Sequence, residues 1–149
     1  MNEMSYKKFT LMMIISFFIM YVVMFLNVDS IDHYHTSTTR IYMAILMVAP
    51  MAIVMMRMMG KMYRNKKKNA GIVAGAIIVF IAILAALRTQ TPVSDVQYMK
   101  AMIPHHSSAI MTSKHANIKD PEVRKLADSI IASQEREIRQ MEALLNRMK

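Results

Sequence analysis

The chain has 149 residues, a net charge of +9 and 54% apolar residues, with 19 methionines and no cysteine. The lack of cysteine excludes disulfides and thiolate metal sites. The apolar residues are gathered into charge-free runs separated by charged segments, which excludes a uniform soluble core, and no motif in the basic segments predicts a nucleic-acid partner.

Three charge-free runs predict transmembrane helices over about residues 9–26, 41–59 and 70–87. Eighteen helical residues rise about 27 Å, close to the thickness of the hydrocarbon layer. The second run reaches residue 59 because Arg57 can extend its charge to the headgroups. The first run is too long for a signal peptide and lacks a cleavage site, so we interpret it as an uncleaved span. Residues 1–88 are therefore predicted to form a membrane domain.

Basic residues beside the spans predict the orientation. Segment 57–69 carries six Lys or Arg residues, and Lys7 and Lys8 precede the first span, whereas segment 27–40 has one Arg and two Asp residues. We therefore expect the N-terminus to be cytoplasmic and the chain after Leu87 to be extracytoplasmic, in a bacterial inner or plasma membrane. The basic segment would contact anionic membrane lipids.

The second span carries a stripe of methionines at every fourth residue, which sets their thioethers about 6 Å apart in height. We call this the methionine stripe: Met43, Met47, Met51, Met55 and Met59. His33 and His35 lie before its outer end. Because thioethers suit Cu(I), one hypothesis is a copper relay through the membrane. The alternative is that the stripe only packs or faces lipid.

Two soluble helices are predicted after the spans, and no strand pattern is present, so the predicted fold is all-α. Ser94 is a candidate N-cap for a helix that continues to about His115 and is interrupted and kinked at Pro104. Asp120 followed by Pro121 begins a second helix that ends near residue 147. Two such helices bury too little surface to be stable alone. We therefore expect the domain at 94–149 to complete a four-helix bundle by homo-oligomerisation, with packing on the spans as the alternative.

The second soluble helix presents one apolar face at 100° per residue. That predicted face comprises Leu126, Ala127, Ile130, Gln134, Glu137, Met141, Leu144, Leu145 and Met148. A carboxylate on such a face is costly unless it is paired or binds a metal. Glu137 is therefore a candidate functional residue.

The first soluble helix carries thioethers and imidazoles that could face Glu137 and Met141. Met99, Met102 and His106 lie on one side at spacings of three and four residues, with His105 beside them, and Met111 with His115 forms a second pair. Sulfur donors favour Cu(I), and imidazole accepts either copper oxidation state. The alternative is that the methionines fill the core and that Glu137 bonds one histidine of a polar pair.

A longer pattern resembles a known family, the domain of unknown function family 305. The pattern comprises Tyr98-Met99-Lys100-Ala101-Met102-Ile103-Pro104-His105-His106, Ala109-Ile110-Met111, Asp120-Pro121, Leu126-Ala127, Ile130-Ile131-Ala132-Ser133-Gln134, Glu137-Ile138 and Met141. The resemblance covers about residues 94–149 and implies a ferritin-like, membrane-anchored protein that binds copper. It implies metal-binding roles for Met102, His105, His106, Met111, Glu137 and Met141. The chain lacks the Glu-x-x-His pairs of di-iron bundles, which argues against iron oxidation.

These observations predict a membrane-anchored protein for copper handling or tolerance that binds Cu(I) through Met99, Met102, His105, His106, Met111, His115, Glu137 and Met141. An enzyme is the less favoured class. The alternatives are an oligomeric copper transporter lined by the methionine stripe, a metal oxidase, and a structural assembly protein without metal.

Overall fold

A computed structural model describes residues 6–63 and 65–148, without the side chain of Lys61. Arg64, predicted as part of the basic segment, lies outside the described residues, as do the outer ends of the predicted domains at residues 1–5 and Lys149. Five helices are present: α1 (Tyr6–Val23), α2 (Thr38–Met59), α3 (Lys66–Thr89), α4 (Asp95–His115) and α5 (Pro121–Arg147). Short 3-10 turns span Ile31–His33 and Gly60–Met62. The described part of the chain contains no strand, so the all-α prediction is confirmed.

The chain divides into two compact units. The three-helix unit comprises residues 1–23 and 40–92, and the hairpin unit comprises residues 24–39 and 93–149. Helices α1, α2 and α3 are each long and apolar enough to cross a membrane. The most apolar 18-residue stretch of each has a mean hydropathy of 1.5, 2.0 and 2.8, respectively. The three predicted spans therefore correspond to three helices of the right length and composition.

The end of the first predicted span is wrong. Helix α1 ends at Val23, and Phe25 belongs to the hairpin unit, where it is only 2% exposed. Its ring stacks on Tyr34 with the centroids 3.8 Å apart. Because an aromatic partner is available there, Phe25 packs against that partner instead of extending the helix.

Helices α4 and α5 form the hairpin, and their starts were predicted correctly. The Ser94 hydroxyl accepts a hydrogen bond from the Gln97 amide, and the Asp120 carboxylate accepts from the next two free amides of α5. Helix α4 continues unbroken through Pro104, contrary to the predicted interruption. Pro104 is itself buried, so packing around its ring keeps the residues before and after it helical.

The hairpin core consists of five buried side chains from the two helices: Met99, Ile103, Ile110, Ile138 and Leu145. The predicted apolar face of α5 was displaced around the helix, since Leu126 is 59% and Met148 45% exposed whereas Ile138, outside that face, is 3% exposed. A single partner helix covers only part of the apolar arc of α5. The remainder of the arc, including Leu144, is left on the surface.

Candidate metal site

His106 is the best-oriented of the predicted metal ligands. Its ring is 10% exposed, and the Nδ1 atom lies 3.0 Å from the Met102 carbonyl oxygen. A carbonyl oxygen only accepts, so Nδ1 must donate its proton. The Nε2 atom points to α5, 2.6 Å from Oε2 of Glu137. A ring held through Nδ1 by a backbone carbonyl, with Nε2 directed outward, has the geometry typical of metal-binding histidines.

Glu137 is a paired surface carboxylate, with 45% of its side chain exposed. The Ser133 hydroxyl donates to Oε1 at 2.9 Å. The pKa of Glu137 lies below its ordinary value of 4.5, mainly because of this hydrogen bond and secondly because of the bond to His106. The carboxylate is therefore ionised at neutral pH, and its Oε2 atom faces Nε2 of His106. A metal ion bound at Nε2 would have to come between these two atoms.

Ser133 was not predicted as a functional residue. Its spacing of four residues from Glu137 places both side chains on one side of α5, which is the sequence signal that could have found it. By directing one carboxylate oxygen, Ser133 leaves the other free to face His106.

The remaining predicted histidines of α4 lie at the surface. His105 is exposed, and its ring centroid is 6.0 Å from that of His106. His115 is also exposed, and its Nδ1 atom donates to the Met111 carbonyl oxygen at 2.9 Å. His115 therefore shares with His106 an Nδ1 atom held by the carbonyl oxygen four residues earlier.

The predicted methionine ligands fall into two groups. Met99 is 6% exposed within the hairpin core, and Met141 packs against that core. Met102 and Met111 are partly exposed. Among the residues that the structure describes, no three His, Asp or Glu side chains converge as a metal site. A metal ion at His106 and Glu137 would therefore need thioethers to complete its coordination.

Segment 24–39 lies along α4, and sequence reasoning missed this contact. The Asp29 amide donates to the fully buried Ser107 hydroxyl at 2.7 Å, and the Nδ1 atom of His33 lies 2.8 Å from the same oxygen. Asp29 also pairs with Lys114, at 2.8 Å. No local pattern signals a contact between residues 78 positions apart.

His33 and His35 each line a cavity of the hairpin unit. The cavity at His35 measures about 420 Å³, and the cavity at His33 about 120 Å³. Glu142 of α5 lines both cavities. The two histidines thus share a unit with the candidate ligands of α4 and α5.

The methionine stripe belongs to the three-helix unit. Met43 is 41% exposed, and Met47 and Met51 are partly buried. Met55 and Met59 pack against a buried cluster at the far end of α2. A continuous relay from His33 and His35 to this stripe stays a prediction, because those histidines lie in the other unit.

Comparisons with known proteins give a family but no activity. The family described as Domain of unknown function (DUF305) matches residues 51–145, a range that begins within α2 and so extends beyond the residues that carry the resemblance. An uncharacterized protein of Acanthamoeba polyphaga mimivirus is 38% identical over 149 residues, covering 98% of this chain and 96% of that protein. This relative is viral, so it lends no support to a bacterial source. No solved structure matches the chain. The chain belongs to the DUF305 family.

Proposed function

We propose that this chain is a membrane-anchored copper-binding protein whose helical hairpin binds Cu(I) as cargo. The observation that carries the proposal is the orientation of His106, with Nδ1 held by the Met102 carbonyl and Nε2 facing Glu137. This arrangement presents one nitrogen in a fixed direction from a rigid helix, as a metal site requires.

The donor chemistry favours copper over harder ions. The hairpin offers the His106 imidazole and the Glu137 carboxylate, with Met102 four residues before the first on α4 and Met141 four residues after the second on α5. Thioether sulfur selects Cu(I), whereas Mg²⁺ and Ca²⁺ require several oxygen ligands. Since three His, Asp or Glu side chains do not converge among the described residues, a site built only from hard ligands has no support here.

We also propose that two copies of the hairpin pair in a ferritin-like four-helix bundle. Four apolar side chains of α5 are exposed in the single chain: Val123 (50%), Leu126 (59%), Leu144 (38%) and Met148 (45%). A second hairpin would cover them and supply the buried surface that two helices lack. Leu126→Lys should then shift the full-length protein to a smaller oligomer in light scattering, while Lys125→Ala, at an exposed polar neighbour, should not.

The direct test is a titration of the full-length protein with Cu(I) against a colorimetric chelator, with Ag(I) as a redox-silent check. His106→Ala and Met102→Leu should each weaken Cu(I) binding by at least tenfold, because each removes a donor. Met148→Leu is the matched control, since this thioether is 45% exposed and lies outside the proposed ligand set. Equal Cu(I) affinity for His106→Ala and Met148→Leu would refute the hairpin site.

A further inference from the structure

Methionine is distributed unevenly among three helices that face the same apolar surroundings. Helix α2 contains seven methionines in 22 residues and α1 contains three in 18, whereas α3 contains none in 24. All three helices meet the same requirement for apolar side chains, and α3 meets it with Ile, Val, Leu, Phe and Ala alone. The methionines of α1 and α2 therefore need an explanation beyond hydrophobicity.

Five of these thioether side chains come together where α2 ends. We call them the methionine cluster: Met13 of α1, Met55, Met56 and Met59 of α2, and Met62 of the following 3-10 turn. Met56 is 4% exposed, and the other four pack against the buried group that contains it. Three separate segments of the chain thus direct sulfur-bearing side chains into one compact region.

Tyr63 adds a polar atom to the same region. Its side chain is 2% exposed, and its hydroxyl is buried without a hydrogen-bond partner among the described residues. A buried hydroxyl left unpaired is unfavourable, and native proteins rarely keep one without a role. The lone pairs of its oxygen can coordinate a cation together with the thioethers of the cluster.

Two aromatic rings pack against the Tyr63 ring. The Tyr63 ring lies 5.2 Å from the Tyr6 ring and 6.0 Å from the Phe9 ring, centroid to centroid. Ring faces attract cations and pack well against thioether sulfur. The surroundings therefore suit a weakly hydrated cation instead of a strongly hydrated one.

The charges of the three-helix unit determine which kind of cation fits the methionine cluster. Among its described residues the three-helix unit contains no Asp, Glu or His, so these residues offer neither carboxylate nor imidazole to a divalent ion. Exposed lysines stand at the starts of α1 and α3, at positions 7, 8 and 66–68. Neutral sulfur ligands beside positive charge disfavour Mg²⁺, Ca²⁺ and Zn²⁺ and leave a soft monovalent cation as the fitting occupant.

We propose that the methionine cluster is a second Cu(I) site, located in the three-helix unit and independent of the hairpin site. This proposal rests on the proposed function only for the choice of copper as the natural cargo. Within the cluster, Met56, Met59 and Met62 are the sulfur donors closest to Tyr63 in sequence, and Met13 adds a donor from α1.

The test uses the full-length protein in nanodiscs and Ag(I) as the probe. Bound silver per chain is measured after removal of free metal, and hydrogen peroxide footprinting reports which thioethers silver protects from oxidation. The cluster variant combines Met56→Leu, Met59→Leu and Met62→Leu, which nearly conserve volume. Met58→Leu is the control, because Met58 lies on the same helix but is 79% exposed.

We expect the cluster variant to bind at least one fewer Ag(I) per chain than the Met58→Leu variant. In the wild type, Ag(I) should protect the partly exposed Met59 and Met62 from oxidation and leave Met58 reactive. Equal silver content in the two variants, with equal helicity by circular dichroism, would overturn the proposal. His106→Ala separates the two sites: its loss of silver supports the hairpin site, and its retention of Met59 protection supports the cluster even if the hairpin binds nothing.

Discussion

Ser107 is predicted to anchor segment 24–39 to the hairpin, and Ser107→Ala tests this. The hydroxyl is fully buried and accepts the Asp29 amide proton at 2.7 Å. Removing the acceptor leaves that amide unpaired, at a cost of about 1–3 kcal/mol. Since each 1.4 kcal/mol corresponds to about a factor of ten, amide hydrogen exchange of the segment should accelerate by roughly 5- to 150-fold. The ion pair of Asp29 with Lys114 remains, so we expect the segment to loosen without detaching.

The neighbouring Ser108→Ala provides the matched control. Its hydroxyl donates to the Asn27 carbonyl oxygen at 3.1 Å, but this bond is exposed and water can replace it. Both substitutions gain the same helix propensity, about 0.5 kcal/mol, so this gain cancels in the comparison. Hydrogen exchange measured by mass spectrometry on the full-length protein should show fast exchange at 24–39 only for Ser107→Ala. Indistinguishable exchange in the two variants would refute the anchoring role.

Three further predictions concern the hairpin. Ile103 is 0% exposed in the core, so Ile103→Ala should lower the unfolding free energy by about 2–5 kcal/mol in denaturant titrations. Asp120→Ala should lower it by about 1 kcal/mol because two amides of α5 lose their cap, and Asp120→Ser should restore most of the loss. Because folding lowers the pKa of Glu137, the ionised carboxylate adds to the unfolding free energy at pH values above the ordinary pKa of 4.5. This contribution is lost as the pH falls through the lower pKa of the folded state. Stability measured from pH 6 downward should therefore decline less steeply for Glu137→Gln, and identical slopes would contradict this assignment.

Local chemistry explains which parts of the fold the sequence predicts well. The start of α4 follows from Ser94 and the start of α5 from Asp120 and Pro121, because capping involves only the next few residues. The three apolar helices follow from run length alone.

Features that depend on distant partners were not predicted. The assignment of Ile138 to the core and of Leu126 to the surface depends on where α4 lies, and the pattern of α5 contains no such information. The burial of Ser107 beneath Asp29 joins segments 78 positions apart. His106 and Glu137 could be proposed as partners from the sequence, and the four-residue spacing of Ser133 from Glu137 offered a further signal. Only the direction of the carboxylate shows that Ser133 bonds to it.

The charge distribution predicts an orientation of the chain in the membrane that can be tested directly. The three-helix unit holds ten of the 19 basic residues and one of the ten acidic residues, so the hairpin unit is neutral and the net charge of +9 lies in the three-helix unit. Basic residues beside short spans favour the cytoplasmic side, which would place the start of α3 inside and the hairpin outside.

Because the chain has no cysteine, a single introduced thiol reports its own location without background. We expect a membrane-impermeant maleimide to label Asn117→Cys, at an exposed position between α4 and α5, in intact cells. Lys67→Cys, at an exposed position at the start of α3, should react only after the membrane is permeabilised. The reverse pattern would place the hairpin in the cytoplasm and remove the case for extracytoplasmic copper binding. It would leave the methionine cluster intact as a proposal, because that cluster lies within the spans and the turn that follows α2.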